Sequence, residues 1–182
     1  MPWKNADNLT PAELARMPYI AYGSNMSIDG MKGRCPGAKA ICSGRIEAEL
    51  VFRGVADIVP QRGGSLPVGL WFVDENNVRA LDVYEGWPRL YQRVIIPVKA
   101  KGKTIKGFAY IMTTNDESPP SPWYYHIIRT GYADFKCPAG QLHEALEASL
   151  PEKDRNRHLI RFHEAVSRMP RKIKRPTKVF YM

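Results

Sequence analysis

The spacing of one carboxylate in this sequence asks for a chemical explanation. Asn76 to Glu85 predicts a short helix, with Asn76 or Asn77 able to cap it and Gly86 and Pro88 stopping it. Val78, Leu81 and Glu85 fall at i, i+3 and i+7, so the acid projects from the stripe that turns to the core. Burial disfavours the charged carboxylate, and the negative end of its own helix disfavours it further, so its pKa is expected to rise towards neutrality. A glutamate poised there can both accept and return a proton. The structural alternative is a helix-end carboxylate paired with Arg89 or Arg93, and spacing alone leaves both open.

The second stretch with chemical potential is Pro18-Tyr19-Ile20-Ala21-Tyr22-Gly23-Ser24-Asn25-Met26-Ser27, an apolar run that breaks into small polar residues. Its β-branched and aromatic content between Pro18 and Gly23 predicts a buried strand ending in a loop. Gly23 permits positive φ or close approach of a ligand, and Ser24 and Asn25 add donors and acceptors beside backbone N–H groups. Such a loop can hold a small polar anion. Gly-Ser-Asn is equally ordinary turn chemistry.

Taken together these residues resemble a known family. Tyr22-Gly23-Ser24-Asn25-Met26 after an apolar strand is similar to the signature loop of the γ-glutamylcyclotransferase superfamily. The resemblance continues at Leu81-Asp82-Val83-Tyr84-Glu85-Gly86, at Tyr91 and Arg93 on the following strand, and at Ser121-Pro122-Trp123-Tyr124. These separated matches occur in order and cover the chain from about Tyr19 to Leu146. The resemblance implies a small barrel with a pocket at one mouth. It assigns Tyr22, Gly23, Ser24, Asn25 and Met26 to the substrate loop, Glu85 to general acid/base work, and Tyr91 and Tyr124 to the pocket.

The implied reaction cyclises a γ-glutamyl group to 5-oxoproline and releases an amine or amino acid, with no metal or organic cofactor required. Tyr91 and Tyr124 also read as core aromatics, and Arg93 as a salt-bridge partner or as a neighbour keeping the pocket positive. Trp87-Pro88-Arg89 and Trp123-Tyr124-Tyr125 are bulkier than a minimal γ-glutamyl site needs, so the leaving group stays open. The competing reading is a binding module of the same fold that holds a small acidic metabolite without turnover.

The elements that must position these residues follow from local patterning. Thr10 can cap a short helix with Pro11 at its first position and Glu13 at its third, and Ser27 can cap another after the loop. Ala40 to Phe52 predicts one half-buried strand, with Ile46, Ala48, Leu50 and Phe52 on its inner face. Val55 to Pro60 and Val68 to Val73 predict two more, around a flexible loop at 61 to 65. Leu90 to Ala100 and Lys103 to Thr113 predict an antiparallel hairpin turning at Lys101-Gly102. Helices are expected at Trp123 to Thr130, capped by Ser121, then at Ala139 to Leu150 and Glu152 to Arg168. Val179 to Tyr181 reads as a final strand or a frayed end. The pattern is that of an α+β domain with a curled, mainly antiparallel sheet and flanking short helices.

Composition narrows the function classes. With 182 residues and 44% hydrophobic content the chain predicts one folded domain over 1–182, of which 168–182 form a basic tail. No apolar run approaches the ~20 residues of a bilayer span or forms a secretory signal, which predicts a cytoplasmic protein with no membrane partner. Cys35, Cys42 and Cys137 include no Cys-x-x-Cys pair, and His126, His143, His158 and His163 share no ligand spacing, so no metal is predicted. Much of the net charge of +9 gathers at Arg168, Arg171, Lys172, Lys174, Arg175 and Lys178. Aromatic residues are not interleaved there, so a solvated charge run is preferred to a nucleic-acid arm. The expected partner is a small γ-glutamyl molecule, and the oligomeric state is not set.

Overall fold

The computed structural model describes residues 3–170. A two-residue strand β1 (Lys4–Asn5) leads to helix α1 (Pro11–Leu14). Its capping box is formed as predicted, the Thr10 hydroxyl accepting from the Glu13 N–H and the Glu13 carboxylate from the Thr10 N–H. Strand β2 (Tyr19–Ala21) is wholly buried and gives way to a 3-10 turn (Ser24–Met26) and to helix α2 (Ile28–Arg34), capped by Ser27. Strands β3 (Lys39–Ile46), β4 (Ala48–Phe52), β5 (Ala56–Pro60) and β6 (Leu66–Phe72) precede helix α3 (Glu75–Glu85). The hairpin β7 (Tyr91–Ala100) and β8 (Lys103–Met112) is followed by helices α4 (Pro122–Asp134), α5 (Gly140–Ser149) and α6 (Arg155–Ser167).

Strands β7, β3, β6, β2 and β8 neighbour one another in that order, and β7 also pairs with β8, so the five close into a barrel. All neighbours in the ring are antiparallel except β2 and β8, which makes the barrel mixed. Closure removes the unpaired edges that an open sheet would expose. Val94, Ile96 and Val98 alternate inward along β7 and meet Ile20, Leu70 and Phe108 in the core. At the hairpin, Lys101 and Gly102 both take left-handed backbone, φ 48° and 75°, as a two-residue turn matched to strand twist requires.

Three expectations are corrected in detail. The single strand from Ala40 to Phe52 is two: β3 stays in the barrel against β6, the chain bends at Glu47, and β4 pairs with β5 in a separate two-stranded sheet. Ile46, Ala48, Leu50 and Phe52 are all buried, so the inward alternation runs unbroken across the bend and hides it. Helix α3 is capped by Asp74 rather than Asn76 or Asn77, and Asn77 instead supplies the reciprocal third residue of that capping box. Helix α4 runs on to Asp134, past Thr130. The possible strand at Val179 to Tyr181 lies outside the described residues, as does the basic tail beyond Pro170.

Two anchors set the helices that flank the site. Arg93 is buried on β7 and holds Asp82 of α3 through both Nε, at 2.9 Å, and Nη2. Its Nη1 donates to the Leu9 carbonyl at 3.0 Å, its guanidinium lies 3.7 Å from the Trp87 ring centroid, and the Tyr110 hydroxyl donates to Asp82 Oδ1 at 2.7 Å. Leaving one partner of such a buried pair alone costs about 3–5 kcal/mol. The second anchor is steric. A Cβ on Gly131 of α4 would stand 2.5 Å from the Met26 Cβ, and one on Gly69 of β6 would stand 2.7 Å from the Phe135 ring. Only glycine at both places lets α4 lie this close to the 3-10 turn and to the barrel wall.

Among the described residues no helix is long and apolar enough to cross a membrane. All three cysteines are free thiols.

Candidate active site

The loop after β2 and the end of α3 meet at one mouth of the barrel, around a cavity of about 360 Å³. Tyr22, Gly23, Ser24 and Asn25 line it from the loop, Glu85 from α3, Tyr91 from β7 and Tyr124 from α4. Seven of the eight residues assigned to the site by resemblance therefore converge there. Met26 does not. It is fully buried beneath the turn against Gly131, and its N–H is taken by the Gly23 carbonyl at 3.0 Å. Its contribution is to seat the loop.

Gly23 serves by close approach rather than by positive φ, its backbone lying at φ −111° and ψ −139°. A Cβ there would come within 3.2 Å of the Ala56 Cβ and 3.3 Å of the Tyr124 hydroxyl. That hydroxyl accepts from the Ala56 N–H at 3.2 Å, tying α4 and β5 across the cavity. The Tyr22 hydroxyl is turned inward and donates to the Tyr110 carbonyl at 2.6 Å. Beyond the turn, the backbone N–H groups at its open N-terminal end have no intrahelical acceptor.

Glu85 is joined to the loop directly. Asn25 Nδ2 donates to Glu85 Oε1 at 2.9 Å and to the Tyr19 hydroxyl at 2.7 Å, while Arg34 Nη1 donates to Asn25 Oδ1. Burial pushes the Glu85 carboxyl up to about 7, and the nearby Arg34 charge and the Asn25 hydrogen bond hold it from rising further. The alternative pairing of Glu85 with Arg93 is not formed, because Asp82, one turn earlier on α3, takes Arg93 instead. Arg93 thus acts on the site through the placement of α3.

Burial raises the phenols of Tyr19, Tyr22 and Tyr124, which stay protonated and able to hydrogen-bond at neutral pH. The other charged group on the lining, Arg53, is held by buried Asp57, with Nε 3.1 Å from Oδ2. The cavity therefore offers a carboxyl that exchanges protons near neutrality, a ring of phenols, and apolar wall from Val55, Leu90 and Met112.

Sequence reasoning missed Arg34, Tyr19 and Tyr84. Arg34 lies nine residues beyond Asn25, in a Gly-rich segment followed by Cys35-Pro36, where a lone cation carries no periodic signal. Its relevance arises only because α2 folds back beside α3.

Comparisons with known proteins agree with this geometry. Residues 19–127 match the family model described as gamma-glutamyl cyclotransferase, AIG2-like. A human protein named gamma-glutamylcyclotransferase is 30% identical over 149 residues, which cover 73% of this chain and 78% of the human one. Its mouse counterpart by name is 28% identical over 151 residues, covering 74% and 79%. A solved structure named gamma-glutamyl cyclotransferase superposes with a TM-score of 0.65 at 25% identity, covering 80% of this chain and 98% of that one.

Proposed function

Since this chain belongs to the gamma-glutamyl cyclotransferase, AIG2-like family, we propose that it converts a γ-glutamyl compound to 5-oxoproline and a free amine or amino acid, with Glu85 as the general acid and base. The observation that carries this reading is the Glu85 carboxyl itself. It is half-buried at the cavity wall, is raised to about 7, and is hydrogen-bonded to Asn25 of the loop.

The reaction is intramolecular, so most of its barrier is lowered by holding the substrate folded with its α-nitrogen against its own side-chain amide carbonyl. Glu85 takes a proton from the α-ammonium, the freed nitrogen forms the C–N bond of the five-membered lactam, and the carbonyl oxygen gathers negative charge. N–H groups of the loop at Gly23 to Asn25 supply fixed dipoles for that oxygen or for the substrate α-carboxylate. Glu85 then returns a proton as the old C–N bond breaks. The two protons lost by the α-nitrogen end on the leaving nitrogen, which departs as an ammonium. Val55, Leu90 and Met112 line the remaining wall, which favours an apolar substituent on the leaving nitrogen.

The test is to incubate the purified chain with a panel of γ-glutamyl dipeptides and γ-glutamyl amines and read 5-oxoproline by mass, with Glu85→Gln beside it. Wild-type turnover is expected, with the substitution slowing it about 10²–10⁴-fold. Full activity in a folded Glu85→Gln protein would sink the assignment of Glu85. Saturable binding without product from any substrate would identify a binding module instead.

A further inference from the structure

We propose that Arg34 is a positioning residue, which fixes the Asn25 amide so that Glu85 Oε1 is held as an acceptor and Oε2 becomes the oxygen that exchanges the proton. The inference rests on the acid/base role given to Glu85 above. Its basis is a single hydrogen-bonded line from α2 through the loop to α3. Arg34 Nη1 donates to Asn25 Oδ1, and arginine has no acceptor to offer, so the amide oxygen must face α2. The amide nitrogen then faces the other way, where its two hydrogens go to Glu85 Oε1 and the Tyr19 hydroxyl. A reversed amide would set a carbonyl oxygen against the carboxylate. Because Oε1 already accepts an N–H, a proton on Glu85 resides on Oε2.

Arg34 is itself held. Its guanidinium lies over the Tyr84 ring, 3.5 Å from the centroid, and the Tyr84 hydroxyl is 3.3 Å from Ser24 Oγ. The planar fork can stack on Tyr84 and donate to Asn25 together, which a lysine cannot reproduce. Arg34 is also the cation that opposes burial at Glu85. The other titratable groups around that carboxyl are phenols and a thiol: Tyr19 from β2, Tyr22 from the loop, Cys35 after α2, Tyr84 beside it, and Tyr91, Tyr110 and Tyr124 from β7, β8 and α4. Arg53 on the same lining is neutralised by Asp57.

The experiment titrates Glu85 by carboxyl carbon NMR in the full chain, assigned with Glu85→Gln, in wild type, Arg34→Met and Arg34→Lys, alongside the pH profile of kcat/KM. In Arg34→Met the Glu85 midpoint is expected to move up by about one unit or more, with the acid limb of kcat/KM following it. In Arg34→Lys it should fall between the two. Unchanged midpoints in the folded variants would overturn the proposal. If Arg34→Met fails to fold, a wild-type midpoint and kcat/KM in Arg34→Lys would do the same. The NMR readout needs no turnover, so a shifted midpoint in a chain that releases no 5-oxoproline would leave the coupling standing and reject only the proposed reaction.

Discussion

At the scale of single residues, the burial that suits Glu85 to proton exchange also sets it against folding. Its carboxyl titrates near 7 in the folded chain but near an ordinary 4.3 when unfolded, so the folded state binds the proton more tightly. That contribution is fully present below the unfolded value and is lost as pH rises through about 7, a difference of at most about 4 kcal/mol. Glu85→Gln, which cannot ionise, should therefore melt above wild type at pH 8, with the gap shrinking at pH 5. Thermal melts at the two pH values check this, and an equal gap at both would show that burial does not shift Glu85. In the proposed reaction the same titration governs activity, so kcat/KM should fall about tenfold per unit below pH 7, where the base is lost. The acid was legible in the sequence because Val78, Leu81 and Glu85 share one helical stripe. Its true neighbours were not, since Asn25 and Arg34 reach it across the fold and share no periodicity with it.

At the scale of elements, what was readable was whatever chain neighbours decide. The Thr10 capping box, the Lys101-Gly102 turn and the Ser121 cap of α4 are satisfied within a few residues of themselves. The bend at Glu47 escaped notice because both strands beside it keep the same inward face. Gly131 carried no signal either, being one glycine in a helix, yet it brings α4 within contact of the loop. Gly131→Ala would drive a methyl into the Met26 and Ser27 backbone, at 2.6 Å from the Met26 carbonyl carbon and 2.7 Å from the Ser27 nitrogen. Overpacking of this kind costs about 1–3 kcal/mol. Because the displaced atoms belong to the loop proposed to bind substrate, kcat/KM should fall more steeply than stability, by about 10²-fold for a shift of about 1 Å. Melting temperature and kcat/KM measured on the same preparation check it. A destabilised variant with unchanged kcat/KM would mean the loop is seated independently of α4.

At the scale of the whole molecule, the α+β class followed from element types, but the ring order β7-β3-β6-β2-β8 did not, because it joins strands far apart in sequence. That order has a mechanical consequence. Tyr91 and Met112, which pair at the start of the hairpin, line the cavity, whereas Ala100 and Lys103 pair beside the turn about 30 Å away along β7. The barrel thus places the cavity at one mouth and leaves the hairpin tip outside it. Gly102 stands at φ 75° with open space around its missing Cβ, so alanine there meets backbone strain and no clash. Gly102→Ala should cost about 1–2 kcal/mol, lowering the melting temperature by a few degrees, on the order of 2–4 °C per kcal/mol for a domain of this size. Its kcat/KM and pH profile should match wild type, because neither Glu85 nor the loop at Tyr22 to Asn25 touches that tip. Scanning calorimetry with steady-state kinetics checks both halves of the expectation. A loss of kcat/KM as large as that expected for Gly131→Ala would show that strain at one end of the closed sheet is carried to the other, and that the mouth is not held by its local anchors alone.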